Sequence, residues 1–68
     1  MTLVPGYTFT VKERPKMEFI LGHTYRIYHI APLSDGVEYI FQSNGGNVKV
    51  KFDSTEYAET LIKKMSGK

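Results

Sequence analysis

Cysteine is absent from the 68 residues, so disulfide staples and thiolate metal sites are excluded. Secreted domains of this size commonly rely on such staples, and their absence points to a reducing, cytoplasmic setting. Long apolar runs are lacking too. A bilayer-spanning helix needs about 20 predominantly apolar residues, and no uncharged stretch approaches that, so no membrane segment is expected. The opening residues, Met-Thr-Leu-Val-Pro-Gly, carry neither the basic segment nor the apolar stretch of a secretory signal. Nor is there a strong charge of one sign. Nine Lys and Arg face seven Asp and Glu, for a net +2. Dedicated nucleic-acid binders carry a stronger bias or an obvious basic stripe. This balance permits a polyanionic partner without requiring one. Repeats, low-complexity tracts and flexible linkers are missing as well, and the length suits one domain, residues 1–68.

What the chain does contain is aromatic surface. Hydrophobic residues make up 41% of it, with five Tyr and four Phe. Each ring buries a large area, which a domain with so little interior needs. Disordered chains are poor in such residues.

The alternation pattern predicts up to five strands. Tyr7, Phe9 and Val11 share one face of a strand over 7–12. A polar stretch ending at Pro15 follows, then a short apolar strand over 17–21, broken by Gly22 and His23. A strand over 24–30 is hard to orient. Tyr25, Ile27 and His29 fall on one face, Arg26, Tyr28 and Ile30 on the other, and neither is polar throughout. Residues 31–36 read as a loop with Asp35-Gly36 as its tight turn.

Strands over 37–42 and 48–52 flank Asn44-Gly45, which suits a type I′ turn. With those two residues at the tip, Phe41 faces Val48, Tyr39 faces Val50 and Val37 faces Phe52. Ile40-Lys49 and Glu38-Lys51 occupy the other face. Turn chemistry and hydrophobic pattern therefore select the same register. A helix is predicted over 54–65. Asp53 or Ser54 would cap it, Asp53 with Glu56 in a capping box. Ala58, Leu61, Ile62 and Met65 form its apolar stripe, extended by Tyr57. Acids come early and lysines late, as the helix dipole favours. The expected class is α+β and β-rich: a small curled antiparallel sheet, or an SH3-like partly open barrel of four to five strands, closed by a C-terminal amphipathic helix.

Catalytic and metal constellations are thin. His23 and His29 are the only histidines, and a first-row metal site needs three or four convergent ligands. His23 reads as an exposed turn residue and His29 as half-buried at a strand end. Ser34, Ser43, Ser54 and Ser66 occupy loops and helix ends, where serine has structural work. Glu13, Glu18, Asp35 and Glu38 have little room around them for a deep cleft. The expectation is a non-enzyme with no metal or cofactor.

A small protein-protein interaction module is the leading expectation: an inhibitor, adaptor or assembly component. Tyr25, Arg26, Tyr28, Pro32 and Leu33 are its candidate contact residues, being hot-spot types or apolar residues placed in a loop. Nucleic-acid binding is the alternative, through Arg26, Tyr28, Lys49 and Lys51, with Glu18 and Glu38 interrupting the basic surface. A homo-oligomeric structural component is the third reading, because self-association enlarges a marginal core.

Overall fold

A computed structural model describes residues 3–13 and 18–67. The chain forms a four-stranded antiparallel sheet in the order β1-β2-β3-β4, followed by one C-terminal helix. The strands are β1 (Thr8–Thr10), β2 (Thr24–Leu33), β3 (Gly36–Ser43) and β4 (Gly46–Phe52), and the helix is α1 (Thr55–Met65). Each strand pairs with its neighbour in sequence, so β1 and β4 lie at opposite edges. Among the described residues no ladder joins those edges. Of the two shapes expected from sequence, a small curled antiparallel sheet or an SH3-like partly open barrel, the described residues show a four-stranded antiparallel sheet with one C-terminal helix.

The β3–β4 register is the one the sequence selects: Phe41 faces Val48, Tyr39 faces Val50 and Val37 faces Phe52. Asn44 and Gly45 form the tip, but the turn is not type I′. That turn requires positive φ at Gly45, whereas the positive φ lies at Gly46 (118°). The Ser43 hydroxyl holds the tip instead. It accepts from the Gly45 amide and donates to the Gly46 carbonyl, both at 3.3 Å.

Three other expectations change. The 17–21 strand is not formed: residues 18–21 are irregular, and Met17 lies outside the described residues, with 14–16. The Ile20 amide donates to the Tyr25 hydroxyl at 3.0 Å rather than to a neighbouring strand. Next to it, His23 N bonds Ile20 O and Gly22 N bonds Val11 O, closing a turn. The 31–36 loop is mostly strand. Ser34 and Asp35 make the turn, and Leu33 pairs with Gly36. Proline is tolerated at position 32 because the pairing of Leu33 with Gly36 aims Leu33 at β3 and residue 32 away from it. β1 has already ended on that side, so no ladder donor is lost. Glycine is required at 36, since a Cβ there would collide with the Phe52 carbonyl oxygen.

The third correction orients β2. The register shifts between Ile27 and His29: Ile27 faces Phe41 and His29 faces Ile40, leaving Tyr28 as the extra residue of a β-bulge. Alternation therefore changes parity at Tyr28. Tyr25 and Ile27 point to the core before it, and Ile30, paired with Tyr39, points to the core after it. His29 turns outward and is exposed, not half-buried at a strand end. A mixed sequence on both faces is what a mid-strand parity switch produces.

The core lies between the sheet's inner face and α1. Rings of Phe9, Phe19, Tyr25 and Phe41 pack with centroids 5.0–6.4 Å apart, and Tyr39 lies 5.4 Å from Phe52. Helix α1 adds Ala58, Leu61, Ile62 and Met65, all buried. Its cap is Ser54, whose Oγ accepts from Tyr57 N at 3.1 Å. With Ser54 as the cap, the third helical position is Tyr57 rather than Glu56, so the capping box does not form. At the other end, the amides of Lys12 and Glu13 donate to the Met65 carbonyl at 2.7 and 3.2 Å. The segment leaving β1 thereby satisfies an acceptor that a helix end leaves open.

Candidate functional site

The face of the sheet opposite α1 carries polar rows fixed by the register. One row runs Thr8, Arg26, Gln42, Asn47; the next runs His29, Ile40, Lys49; the third runs Ala31, Glu38, Lys51. Leu33 closes the face at the β2–β3 turn.

The sequence candidates separate on this frame. Tyr25 is removed from the surface set: it is 1% exposed, its ring packs among phenylalanines, and its hydroxyl is engaged by Ile20. Its odd position places it on the inner side before the bulge. Arg26, Tyr28 and Leu33 are exposed, and Arg26 and Leu33 share the outer face. They stand about 20 Å apart, measured by the register positions Gln42 and Gly36 that they face on β3 at about 3.3 Å per residue. Pro32 falls on the opposite parity, in register with Val37, and is exposed at the hairpin end. Lys49 and Lys51 point outward with Arg26, and Glu38 stands in the same row as Lys51.

The bulge gives this face its most prominent side chain. Tyr28 is 58% exposed, the highest value among the exposed large hydrophobic residues described. Beside it lies an open hollow of about 340 Å³ lined by Pro5, Gly6, Arg26, Ile27, Tyr28 and Gln42. A second hollow of about 310 Å³, including Thr24, Ser43 and Asn44, lies on the other side of Arg26 and Gln42. Arg26 supplies guanidinium donors, Gln42 and Asn44 supply both donors and acceptors, and Ser43, whose proton is held by the Gly46 carbonyl, supplies an acceptor. Such a set can hold carboxylates and peptide groups. Residues at 5, 6, 42, 43 and 44 are the part that strand patterns did not reveal, because they converge only through pairing.

In the far row Lys51 is paired with Asp35 of the β2–β3 turn. Lys51 Nζ donates to Asp35 Oδ2 at 2.7 Å. That hydrogen bond, reinforced by charge, holds the Asp35 carboxyl below its usual range and raises the Lys51 ammonium. On the inner side, burial pushes the Tyr39 phenol up, with a hydrogen bond from Thr55 opposing it. Among the described residues, no three His, Cys, Asp or Glu gather in a way that could hold a metal ion. His23 is an exposed turn residue with its ring 6.3 Å from Tyr25. Among the described residues, no helix is long and apolar enough to cross a membrane.

No protein-family model, curated protein or solved structure matches the chain.

Proposed function

We propose that this domain is a small non-enzymatic protein-interaction module whose working surface is the outer face of the sheet around Arg26, Tyr28 and Gln42. One observation carries the reading. The bulge in β2 places an exposed tyrosine beside an arginine and two open hollows, on a face that the fold does not use for its own core. Bulges concentrate where a side chain is re-aimed for function, and Tyr and Arg are the residue types that dominate binding energy at protein interfaces. Leu33, exposed at the hairpin end of the same face, extends the surface.

The test is a tagged wild-type chain beside the Arg26→Ala/Tyr28→Ala double variant. Proteins retained by the wild type should be lost from the variant, while its thermal melt stays close to wild type. Equal retention by both places the working surface elsewhere.

Nucleic-acid binding is the second reading, favoured by Arg26 and Lys49 sharing one face, with the exposed Tyr28 beside Arg26. The Asp35 carboxylate on Lys51 and the adjoining Glu38 weaken it. An anisotropy titration with DNA and RNA at low and physiological salt separates the two, because phosphate binding falls steeply with salt. We expect no salt-sensitive binding at micromolar protein. Binding at that level, lost in Lys49→Gln/Lys51→Gln, would reverse the order of the readings.

A further inference from the structure

We propose that the free edge of β4 accepts an extended acidic segment of another protein as a fifth strand of the sheet. This is independent of the Arg26–Tyr28 surface, and either site can exist without the other.

Among the described residues three stretches of sheet edge carry no ladder partner, and they are not equivalent. β1 offers only three residues. The part of β2 beyond β1 carries Pro32, which has no N–H to donate. β4 offers seven residues and no proline. Its hydrogen-bonding direction follows from the hairpin. Ser43 and Gly46 flank a two-residue tip and form a bonded pair. In an antiparallel ladder bonded and non-bonded pairs alternate. Gly46, Val48, Val50 and Phe52 therefore bond to β3, while the amides and carbonyls of Asn47, Lys49 and Lys51 aim away from it. Among the described residues, no turn, loop or cap hydrogen bond occupies those three.

The flanks of this edge specify what it takes. On the core side Val48 is half-buried, and Tyr57 of α1 is 46% exposed with its ring 6.2 Å from Phe52. On the outer side stand Lys49 and Lys51. Lys49 has no ion pair among the described residues, and the Lys51–Asp35 pair is itself solvent-exposed, so an incoming carboxylate can exchange for Asp35. A strand laid along this edge sends alternate side chains to the two flanks. Its matching sequence carries acids on one face and apolar residues on the other, which is strand addition with charge selection.

A second copy of this chain does not meet those terms. Antiparallel pairing of β4 with its own copy over its length sets Lys49 opposite Lys49 or Lys51, and like charges directly opposite are destabilising. Edge lysines are a known barrier to such self-pairing. They repel a copy and attract an acidic strand.

The test measures amide hydrogen exchange by NMR on the full chain with two capped synthetic peptides, one alternating Glu and Val, the other alternating Lys and Val. The Glu–Val peptide should slow exchange at Asn47, Lys49 and Lys51 by about tenfold or more, as pairing of an open edge does, and the Lys–Val peptide should not. Lys49→Gln should weaken that protection, and Lys49→Glu should abolish it, both with thermal melts near wild type. No protection at those amides at about millimolar peptide overturns the proposal, as does equal protection by the two peptides or protection confined to β1. Protection that grows with protein concentration alone also overturns it, and identifies a second copy as the occupant.

Discussion

The Tyr25 hydroxyl accepts a hydrogen bond from the Ile20 backbone amide at 3.0 Å, tying the irregular segment before β2 to the centre of the core. Tyr25 itself is buried among Phe9, Phe19 and Phe41. Its ring fills the interior while its hydroxyl organises the loop that carries Phe19 inward.

Tyr25→Phe keeps the ring and removes that acceptor. The Ile20 amide loses its partner, which costs about 1 kcal/mol at a partly buried site. Chemical denaturation should show that loss for Tyr25→Phe. Tyr28→Phe, at an exposed position, should stay within about 0.5 kcal/mol of wild type. Equal effects would remove the structural role assigned to the Tyr25 hydroxyl.

Gly36→Ala should destabilise the domain by about 1–3 kcal/mol, as overpacking commonly does. The added methyl meets the Phe52 carbonyl oxygen, so β3 and β4 must separate where Val37 faces Phe52. NMR should place the largest shifts near Val37 and Phe52. An unperturbed spectrum would show that the strands have room there.

Leu61→Ala should cost about 2–5 kcal/mol by leaving a cavity under α1. Lys64→Ala, on the exposed side of the same helix, should cost no more than about 0.5 kcal/mol. Urea melts of the two variants check whether α1 closes the core. Small, similar losses would contradict it.

The Asp35–Lys51 pair gives a signed dependence on pH. The folded state lowers the Asp35 pKa, so its contribution is present above the ordinary carboxylate range, about pH 4, and is lost as acid protonates it. Lys51 is raised, so its contribution holds below about pH 10 and disappears at higher pH. Tyr39, raised by burial, adds alkaline sensitivity in the same direction. Both partners are exposed, so the difference in melting temperature between wild type and Asp35→Asn should be small. It should be present at neutral pH and should disappear as acid protonates Asp35 in the folded state, below the ordinary carboxylate range. A difference that persists in acid would assign it to something other than the carboxylate charge.

Much of this fold was legible in the sequence where two local rules agreed. In β3 and β4, an Asn44-Gly45 tip and apolar alternation chose the same register, and residues 37–52 adopt it, although Ser43 rather than a type I′ turn holds the tip. The helical spacing of Ala58, Leu61, Ile62 and Met65 was sufficient for α1. β2 was opaque for a physical reason. Alternation assumes one parity along a strand, and the extra residue at Tyr28 reverses it midway. Residues 18–21 misled because an apolar run does not say how many of its members are buried. Only Phe19 enters the core, while Ile20 and Leu21 are more than half exposed. For the site, residue type identified Arg26 and Tyr28. The hollows that Gln42, Ser43 and Pro5 form around Arg26 depend on strand pairing, which composition does not encode.

The central claim is that the outer face of the sheet is where this domain meets a protein partner. The most direct measurement is photocrosslinking in the cell that makes the protein, with a photoreactive amino acid replacing Tyr28 or, separately, Glu56, an exposed residue of the first turn of α1. Position 28 should give a discrete protein adduct, abolished when Arg26→Ala is added, while position 56 gives none. Adducts at 56 alone, or no adduct at 28 with the fold intact, would contradict the assignment of this face.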